Sequence, residues 1–527
     1  MSRVSNSISA LNGSASAASA ADGALPYRLI DHVGELYKNK PIYNQDQVFN
    51  QLFSGATLDS KNGVITYSFL TTPTTVGLYN NKHELFPEPG GYSPMSAAEQ
   101  AVARQAIQLW DDLIPQSFVE KKGVGSDILF MNTTTGPAQA WAYYPSGTGG
   151  KYSQYHHISS DVWTADPTVN WTNGWLNYSG YGWTTITHEL GHTLGLSHPG
   201  PYNYGPGFSA TYENSATYAQ DTRQYSIMSY WSASKTGSLT VDAATGLSNY
   251  PQTPMIDDIM AIQRVYGADL TTRSGDTVYG FNSNAGNPLY DFSKNLAPNL
   301  AIYDAGGNDT IDMSGANAGV FIDLRPGSFS SAATLPTLEQ ANLATVQLNE
   351  ATDDATGDFA MWTQASYDGW IDTLGNAVAG RIGTSTGVLD VQALSYQNIS
   401  IAYNTVIENA IGGSERDYLV GNDVANNLTG NGGNDVLYGL KGNDTLNGGA
   451  GSDFFVFDND GSTDRISDFQ TGIDKIDLRG LSGVTAADVT YNASTHQVEI
   501  NIDHTGVADM FINSANVVNS GDYLFHA

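Results

Sequence analysis

The sequence predicts an α+β domain followed by an all-β domain that contains a parallel β-roll. Three observations support this fold class. Alternating and helical hydrophobic patterns are interspersed as far as residue 266. Beyond that point the helical periodicity fades, and glycine, asparagine and aspartate accumulate. From residue 412 the chain repeats in units of nine residues, which is a period typical of parallel β-rolls.

Residues 25–266 are predicted to form the α+β domain. Alternating hydrophobic residues predict strands at Ile65–Phe69, Asp127–Met131 and Ala140–Tyr144. Ser96 and Glu99 form a capping box, which predicts the start of a helix at that point. Helical spacing of apolar residues predicts two further helices, at Trp183–Leu196 and Met255–Tyr266.

The composition is strongly acidic. The chain of 527 residues has 53 acidic and 22 basic residues, which gives a formal net charge of −31. Such a surface repels phosphate backbones, so we expect no nucleic-acid partner. The carboxylates either form a solvated surface or hold hard cations such as Ca²⁺, and their positions in the repeats favour the second alternative.

The chain contains no cysteine, which excludes disulfides, thiolate metal ligands and a cysteine nucleophile. No run approaches the roughly 18 consecutive apolar residues of a membrane span, so we expect no membrane anchor. Residues 1–24 are rich in serine and alanine, lack a continuous apolar stretch and do not resemble a cleaved secretory signal. We expect this low-complexity segment to be disordered or removed.

The most specific functional signal is His188-Glu-Leu-Gly-His192-Thr-Leu-Gly195-Leu-Ser-His198. His188 and His192 are four residues apart, so on a helix both imidazoles reach one metal ion. Glu189 lies beside them, placed to accept a proton from the attacking water. Gly195 lets the helix end, so that His198 folds back as a third ligand. Three neutral imidazoles leave a fourth position open, as a catalytic zinc site requires.

A bare His-Glu-x-x-His motif also occurs by chance as an ordinary part of a helix. The added glycine and third histidine make this motif far more specific, and it resembles the zinc motif of the metzincins, which a Met-turn follows. Met228, in Ser226-Ile-Met-Ser-Tyr230, matches the methionine of that turn. Pro199 and the Ser-Ile-Met-Ser-Tyr sequence resemble the serralysin branch in particular.

The serralysin resemblance implies a zinc endopeptidase that cleaves internal peptide bonds of proteins or peptides. In that family the tyrosine two residues after the methionine is a further zinc ligand and stabilises the transition state, which implies both roles for Tyr230. From the residues alone, this phenol is equally a structural hydrogen-bond partner. Substrate is expected to bind extended on a sheet edge, for which Ala140, Trp141 and Ala142 match the family stretch. An ordinary core strand is the alternative there.

The nine-residue units begin at Gly412, Gly421, Gly430, Gly439 and Gly448. Their pattern resembles the GGxGxDxUx repeat of RTX proteins, in which six residues form a turn and three form a short strand. The apolar residue at position eight is expected to face the core. The aspartate at position six is expected to bind Ca²⁺ between stacked turns, together with glycine carbonyls. The alternative, a flexible linker, does not explain five units in unbroken register.

Several calcium ions are therefore expected. The predicted ligands in the repeats are Gly413, Asp417, Gly430, Gly432, Gly433, Asp435, Gly439, Gly442, Asp444, Gly448 and Asp453. Asn426 replaces the aspartate of the second unit, so the site that it lines is expected to be weaker. Resemblance to the loops that open the serralysin C-terminal domain adds Arg273, Gly275, Thr277, Asp304, Gly306, Gly307, Asp309 and Glu408. Asp468 and Asp474 are expected to close the last site.

Residues 267–527 are accordingly predicted to form a calcium-binding RTX β-roll and secretion domain. Family members are exported by type I secretion machinery through an uncleaved C-terminal signal, which implies a secreted, extracellular protein. Asp522–Phe525 resembles the acidic and apolar end of that signal, although His526 and Ala527 follow it. The family also implies a propeptide, for which residues 1–24 are the candidate, and a small protein inhibitor as a partner. We expect a monomer.

The segment from about 328 to 395 is longer than the family pattern and is interpreted as a loop inserted on the roll. Two other functions stay open from sequence. One is a calcium-dependent adhesion module with a vestigial protease domain, against which the complete set of site residues argues. The other is a metzincin of a different branch, against which the repeats and Pro199 argue.

Overall fold

The computed structural model describes residues 28–58, 60, 62–71, 91–123, 126–135, 139–145, 160–203, 207–352 and 359–526. The segment 1–24, interpreted above as a propeptide, lies outside these residues. Within the described part of the chain, no helix is both long and apolar enough to cross a bilayer.

The first part of the chain, as far as Tyr266, mixes helices with short strands. Its strands are β1 (Leu36–Tyr37), β2 (Lys40–Pro41), β3 (Val64–Phe69), β4 (Tyr92–Ser93), β5 (Ser117–Glu120), β6 (Ile128–Thr133), β7 (Ala140–Ala142) and β8 (Val162–Ala165). Its α-helices are α1 (Gln45–Leu52), α2 (Ala97–Asp111), α3 (Tyr181–Thr193), α4 (Tyr212–Ser215) and α5 (Ile256–Tyr266). A 3₁₀ turn at Trp171–Gly174 precedes α3.

The main sheet of this part has the strand order β5-β3-β6-β8-β7, with β4 paired to β6. Strands β5, β3, β6 and β8 are parallel, whereas β7 is antiparallel to β8 and lies at the edge. We predicted this edge strand over Ala140–Tyr144, and it ends earlier, at Ala142. Helix α3 packs beside β7 and β8, which places the edge strand next to the histidine motif.

Helix α2 begins at the predicted capping box. The Ser96 hydroxyl accepts the Glu99 N–H at 3.2 Å, and the Glu99 carboxylate accepts the Ser96 N–H at 2.7 Å. The helix packs against α3, and the buried indole of Trp110 donates to the carbonyl of Thr187 at 3.1 Å. Because this contact joins two helices in the core, it fixes the position of α3 against the rest of the domain.

Strands dominate the second part of the chain. They are β9 (Val278–Gly280), β10 (Leu300–Ile302), β11 (Thr310–Asp312), β12 (Phe321–Asp323), β13 (Phe329–Ser330), β14 (Ile399–Ile401), β15 (Asn409–Ile411), β16 (Tyr418–Asn422), β17 (Asn427–Thr429), β18 (Val436–Leu440), β19 (Thr445–Asn447), β20 (Phe454–Val456), β21 (Thr463–Ile466), β22 (Lys475–Asp477), β23 (Val489–Asn492), β24 (Gln497–Ile500), β25 (Met510–Ser514) and β26 (Tyr523–Leu524). One sheet has the order β9-β11-β15-β17-β19-β21-β25-β24-β23, and another has the order β12-β16-β18-β20-β22-β26. A third joins β10, β14 and β13.

Successive nine-residue units contribute strands alternately to the two long sheets. Tyr418 pairs in parallel with Val436, two units later, and Asn427 pairs in the same way with Thr445. The residue at position eight of every unit is fully buried: Leu419, Leu428, Leu437, Leu446 and Phe455. Parallel strands that stack with one apolar residue inward per unit are the arrangement that the repeat predicts.

The expectation of an all-β second part is wrong for residues 338–352 and 364–386. Helices α6 (Leu338–Thr352) and α7 (Gln364–Thr386) lie there, where we expected an inserted loop. In α7 the buried residues recur at helical spacing: Tyr367, Trp370, Leu374, Val378 and Ile382. Alanine, glycine and threonine fill most positions between them and obscure this stripe in the sequence. Burial of the stripe against neighbouring segments outweighs the weak helix propensity of the glycines and threonines.

The inserted helices connect the two parts of the molecule. The indoles of Trp362 and Trp370 donate to the carbonyls of Ala244 and Ala243, at 2.8 Å and 3.0 Å. The same apolar cluster includes Phe321 and residues of the neighbouring strands β16 and β18. The helices therefore cover one side of these strands and stabilise the segment that leads from the Met-turn to α5.

Candidate metal centre and cation-binding turns

Helix α3 carries the first two histidines of the candidate metal centre. We predicted this helix over Trp183–Leu196, and it runs instead from Tyr181 to Thr193. Beyond its end, Gly195 has φ of +100°, a left-handed conformation that favours glycine. A Cβ at this position would also collide with the carbonyl oxygen of Ala56. Glycine therefore permits the turn that returns the chain toward α3 at His198.

The three histidines direct their Nε2 atoms toward one point. The Nε2 of His198 lies 3.3 Å from that of His188 and 3.1 Å from that of His192. Each Nδ1 faces a backbone carbonyl oxygen, which belongs to Ile227, Leu196 and Tyr202 for His188, His192 and His198, respectively. Because a carbonyl only accepts hydrogen bonds, each Nδ1 carries the proton and the Nε2 lone pairs converge. Three converging nitrogen lone pairs fit a zinc ion.

Burial keeps these imidazoles neutral. It is the largest cause that lowers the pKa of His188 to about 3, that of His192 to about 4 and that of His198 well below its usual range. Neighbouring histidines lower the pKa of His188 and His198 further. Neutral imidazole is the form that binds a metal.

Glu189 lies between the two helical histidines in sequence, and its side chain is buried. Its Oε2 has no hydrogen-bond partner among the described residues. Burial raises the pKa of this carboxyl group to about 8. A buried carboxylate oxygen without a partner is costly, so its retention beside three histidines indicates a water or ligand at the metal centre. The residues present therefore fit a catalytic zinc site.

Met228 lies under the metal centre and is fully buried. A Cβ on Gly191, in α3, would lie 2.5 Å from the Met228 sulfur, so the methionine packs directly on the helix backbone. Asp258 holds the turn: its carboxylate accepts the Ser226 hydroxyl at 2.6 Å and the Ile227 N–H at 2.6 Å. Neither Gly191 nor Asp258 was predicted from the sequence to have a role. The acidic residue on the apolar face of α5 was the available signal for Asp258.

We expect Gly191→Ala to lower the free energy of unfolding by about 1–3 kcal/mol and to weaken zinc binding, because the new methyl group must displace Met228. Urea unfolding and zinc titration measure the two effects. Gly369→Ala, at an exposed position of α7 with nothing within 4 Å, is the matched control. It is expected to raise the free energy of unfolding by about 0.5–1 kcal/mol. Equal behaviour of the two variants would contradict the assigned packing.

Tyr230 forms part of the wall of the metal centre. Its ring centre lies 4.4 Å from that of His198 and 6.2 Å from that of His188. The rings of Tyr202 and Phe208 pack around it at 5.1 Å and 6.1 Å. The phenol is partly exposed, and its role as a ligand stays a prediction.

The candidate substrate strand is β7, which pairs with one neighbour, β8, among the described residues. Ala140, Trp141 and Ala142 form β7, the edge strand of the main sheet, and each is partly exposed. Gln139 anchors the start of β7, since its amide group donates to Thr185 in α3 at 3.0 Å. The edge is thus held against the helix that carries the histidines. Its role in substrate binding stays a prediction.

The position-six carboxylates form two ladders along the turns of the repeats. In one, Asp435 Oδ1 accepts the Asp417 N–H at 2.8 Å, and Asp453 Oδ1 accepts the Asp435 N–H at 2.9 Å. In the other, Asp444 Oδ1 accepts the Asn426 N–H at 2.8 Å. With one oxygen, each carboxylate therefore accepts a hydrogen bond from a backbone N–H two units earlier, in the preceding coil of the repeat.

The other oxygen of three of these carboxylates is unsatisfied within the described residues. Oδ2 of Asp435, Asp444 and Asp453 is buried and has no hydrogen bond. Each faces the first glycine of its own unit, namely Gly430, Gly439 or Gly448. Burial, with neighbouring carboxylates, raises the pKa of Asp435 and Asp444 to about 7 and that of Asp453 to about 6. A hard cation such as Ca²⁺ is bound by carboxylate oxygens and would offset the repulsion between these buried groups.

The remaining predicted glycines lie in the same turns. The Gly413 N–H donates to Asp417 Oδ2 at 2.6 Å, and the Gly432 N–H donates to the Gly413 carbonyl at 3.3 Å. Gly433 and Gly442 approach carbonyl oxygens of the preceding coil so closely that a Cβ would collide with them. Main-chain carbonyl oxygens and carboxylates therefore lie close together in these turns.

The loops before the repeats bring several predicted ligands together. Asp309 Oδ1 accepts the Thr277 N–H at 2.8 Å, and the Asp309 N–H donates to the Glu408 carboxylate at 2.7 Å. Gly307 lies against the carbonyl of Gly275. The second oxygen of Asp309 is buried without a hydrogen-bond partner in the described chain. This loop therefore repeats the arrangement found in the ladders.

Arg273 and Asp304 make other contacts. The Arg273 guanidinium donates to Asp112 Oδ2 at 2.6 Å, which leaves only its main-chain carbonyl as a ligand. The Asp304 carboxylate accepts the Tyr279 hydroxyl at 2.7 Å and the Gly306 N–H at 2.8 Å. Their assignment as calcium ligands stays a prediction.

Both carboxylate oxygens of Asp468, and both of Asp474, accept hydrogen bonds from backbone N–H groups. Asp468 accepts the N–H groups of Gly448 and Gly449, at 3.0 Å and 2.7 Å. Asp474 accepts those of Asp453 and Gln470, at 3.1 Å and 2.7 Å. Both residues lie beside the last repeat turn, and their assignment stays a prediction.

Comparison with known proteins links both parts of the chain to one family. Residues 268–352 and 359–525 match the family model described as Peptidase M10 serralysin C terminal. Metallopeptidase AprA of Pseudomonas marginalis is 38% identical over 94% of this chain and 96% of its own length. Metalloprotease AprA of Pseudomonas entomophila is 38% identical, over 90% of this chain and 88% of the relative. Serralysin A of Dickeya chrysanthemi is 34% identical, over 92% and 88%.

Proposed function

Since this chain belongs to the serralysin family of metalloproteases, we propose that it is a secreted zinc endopeptidase that cleaves internal peptide bonds of proteins. The observation that carries the proposal is the convergence of three Nε2 lone pairs beside the buried Glu189 carboxylate. Relatives named as metalloproteases and serralysins support proteins as the substrates.

His188, His192 and His198 hold the zinc ion, with Tyr230 as a further ligand. When bound, zinc supplies a Lewis acid that polarises the scissile carbonyl and lowers the pKa of water. Glu189 accepts the proton of the attacking water through its unpartnered oxygen and passes it to the leaving amine. The Tyr230 phenol donates a hydrogen bond to the oxygen on which negative charge develops.

The substrate binds in an extended conformation along β7. The edge position of β7 and its partly exposed residues support this role for Ala140, Trp141 and Ala142. Main-chain hydrogen bonds to an edge strand give affinity without selecting side chains. Selectivity must then come from side chains around the metal centre.

The carboxylates and carbonyls of the repeat turns bind several Ca²⁺ ions, and the second part of the chain is a calcium-dependent β-roll. Unsatisfied Oδ2 atoms at the same position of three units support this assignment. The roll orders after export through type I machinery, because calcium is scarce inside cells and abundant outside. Residues 1–24 form a removable propeptide, and a small protein inhibitor is a further partner. The enzyme acts as a monomer.

Metal analysis combined with a cleavage assay tests the proposal. Purified protein is expected to contain one zinc ion per chain and to cleave a casein-like protein at internal bonds. Chelation is expected to remove the activity, and Zn²⁺ added back in the presence of Ca²⁺ is expected to restore it. Activity that persists after complete removal of zinc would contradict the proposal. Release of terminal residues alone would contradict the endopeptidase assignment.

A further inference from the structure

Arg223 lies in the segment that leads into the Met-turn. Its N–H donates to the carbonyl of Trp231 at 2.9 Å. Its guanidinium carbon lies 5.5 Å from the ring centre of Tyr181 and 5.3 Å from that of Tyr250, and a terminal nitrogen lies 3.4 Å from the Tyr181 hydroxyl. Cation–π contact with two rings fixes the guanidinium group in place.

This guanidinium lies on the same face of α3 as the histidines of the metal centre. Tyr181 precedes His188 on α3 by two helical turns and therefore lies on the same helix face. The carbonyl of Ile227, four residues after Arg223, lies 2.8 Å from the Nδ1 of His188. The segment that carries Arg223 therefore also holds the first histidine of the metal centre.

Arg223 has no carboxylate partner in the part of the chain that the structure describes. None of the ion pairs there includes it. Among the described residues, Arg223, Tyr181, Tyr250 and His188 are all partly exposed. A guanidinium presents five N–H donors, and the tyrosine rings and one hydroxyl leave most of them available.

The scarcity of positive charge makes this position informative. The chain has 53 acidic and 22 basic residues, so its overall field repels anionic substrates. A local cation on this helix face offsets that repulsion for one anionic group of the substrate. The planar donor fork of arginine matches a carboxylate in particular.

We propose that Arg223 determines specificity by binding a substrate carboxylate close to the scissile bond. The proposal rests on the proteolytic function proposed above. The carboxylate belongs either to an aspartate or glutamate side chain or to the free C-terminus of a peptide, since both offer the same pair of oxygens. A charge-assisted pair of hydrogen bonds is expected to favour such substrates roughly 10- to 100-fold over neutral analogues.

Matched quenched-fluorescence peptides test the proposal. One set carries glutamate or glutamine at each of the three positions on either side of the scissile bond, and another has a free or amidated C-terminus. For wild-type enzyme we expect the ratio of kcat/KM between charged and neutral peptides to reach roughly 10 to 100 at one position. In Arg223→Gln the ratio is expected to fall to about one, and in Arg223→Lys to an intermediate value because the fork is lost.

Arg264→Gln is the matched control, because Arg264 also lies over an aromatic ring, that of Phe49, and pairs with the exposed Asp46. It is expected to keep the wild-type ratio. A preference at one internal position identifies a side-chain carboxylate, whereas a preference for the free acid identifies the C-terminus. Wild-type enzyme that cleaves charged and neutral peptides equally, or Arg223→Gln enzyme that keeps the wild-type ratio, would overturn the inference.

The zinc content and the urea midpoint of each variant are measured beside the ratios, so that loss of folding is not read as loss of specificity. Binding gives a second readout that needs no turnover. The Kd of the glutamate peptide for a Glu189→Gln protein is expected to rise roughly 10-fold or more when Arg223→Gln is added, whereas that of the glutamine peptide changes little. Wild-type enzyme that cleaves no peptide of either set would contradict the proposed function instead.

Discussion

Replacing Glu189 with glutamine is expected to lower kcat by roughly 10²- to 10⁴-fold while one zinc ion per chain stays bound. Glutamine keeps the shape of the side chain but cannot accept the proton of the attacking water. The three imidazoles do not depend on Glu189 for orientation, because each Nδ1 is held by a backbone carbonyl. Metal content and kcat on a protein substrate, measured on the same preparation, test both halves of this expectation.

Glu350→Gln, at an exposed position of α6, is the control and is expected to match the wild-type rate. His188→Ala is expected to lose zinc and activity together, because one of three converging nitrogens is removed. The two kinds of variant are therefore distinguishable. Loss of Glu189 lowers kcat without changing the zinc content, whereas loss of a histidine lowers both. A Glu189→Gln enzyme that keeps more than roughly a tenth of the wild-type kcat would refute the general-base role.

Substitution of Asp444 by asparagine is expected to have opposite effects with and without calcium. With calcium at about 100 times its Kd, loss of one site lowers the free energy of unfolding by about 2.7 kcal/mol. Without calcium, the substitution removes a buried carboxylate that its neighbours repel, so the variant is expected to be at least as stable as the wild type. Urea unfolding followed by far-ultraviolet circular dichroism, in calcium and in a calcium-selective chelator, measures the difference.

Asp423→Asn is the matched control, because Asp423 lies in the neighbouring repeat turn and its side chain is exposed beside Lys441. It is expected to change the free energy of unfolding by no more than about 0.5 kcal/mol under either condition. If Asp444→Asn were destabilising by the same amount with and without calcium, its carboxylate would be a structural acceptor only. That result would argue against calcium at this turn.

The spacing of residues within one helix or one repeat was sufficient to predict much of this molecule. A spacing of four positions from His188 to His192 places both imidazoles on one face of any α-helix, whatever surrounds it. The nine-residue period likewise places Leu428 and Leu437 inward on successive strands. Such predictions succeed because the helical and strand periods are properties of the local backbone.

Contacts between distant segments were not predictable in this way. The inserted helices were expected to be a loop. The contacts that hold them were not visible in the sequence, because Trp362 and Trp370 donate to carbonyls more than a hundred residues earlier in the chain. The role of Gly191 became visible only through Met228, which packs on it from a different turn. No local pattern records which surfaces meet, because that choice depends on the burial gained by the whole chain.

The sequence by itself thus determined the metal-binding residue types, the repeat register and the family to which they point. The tertiary structure decided which imidazole nitrogens face one another, which carboxylate oxygens lack a partner among the described residues, and that Arg223 lies between Tyr181 and Tyr250. The difference is physical: backbone periodicity acts over a few residues, whereas packing brings together side chains that are far apart in the chain.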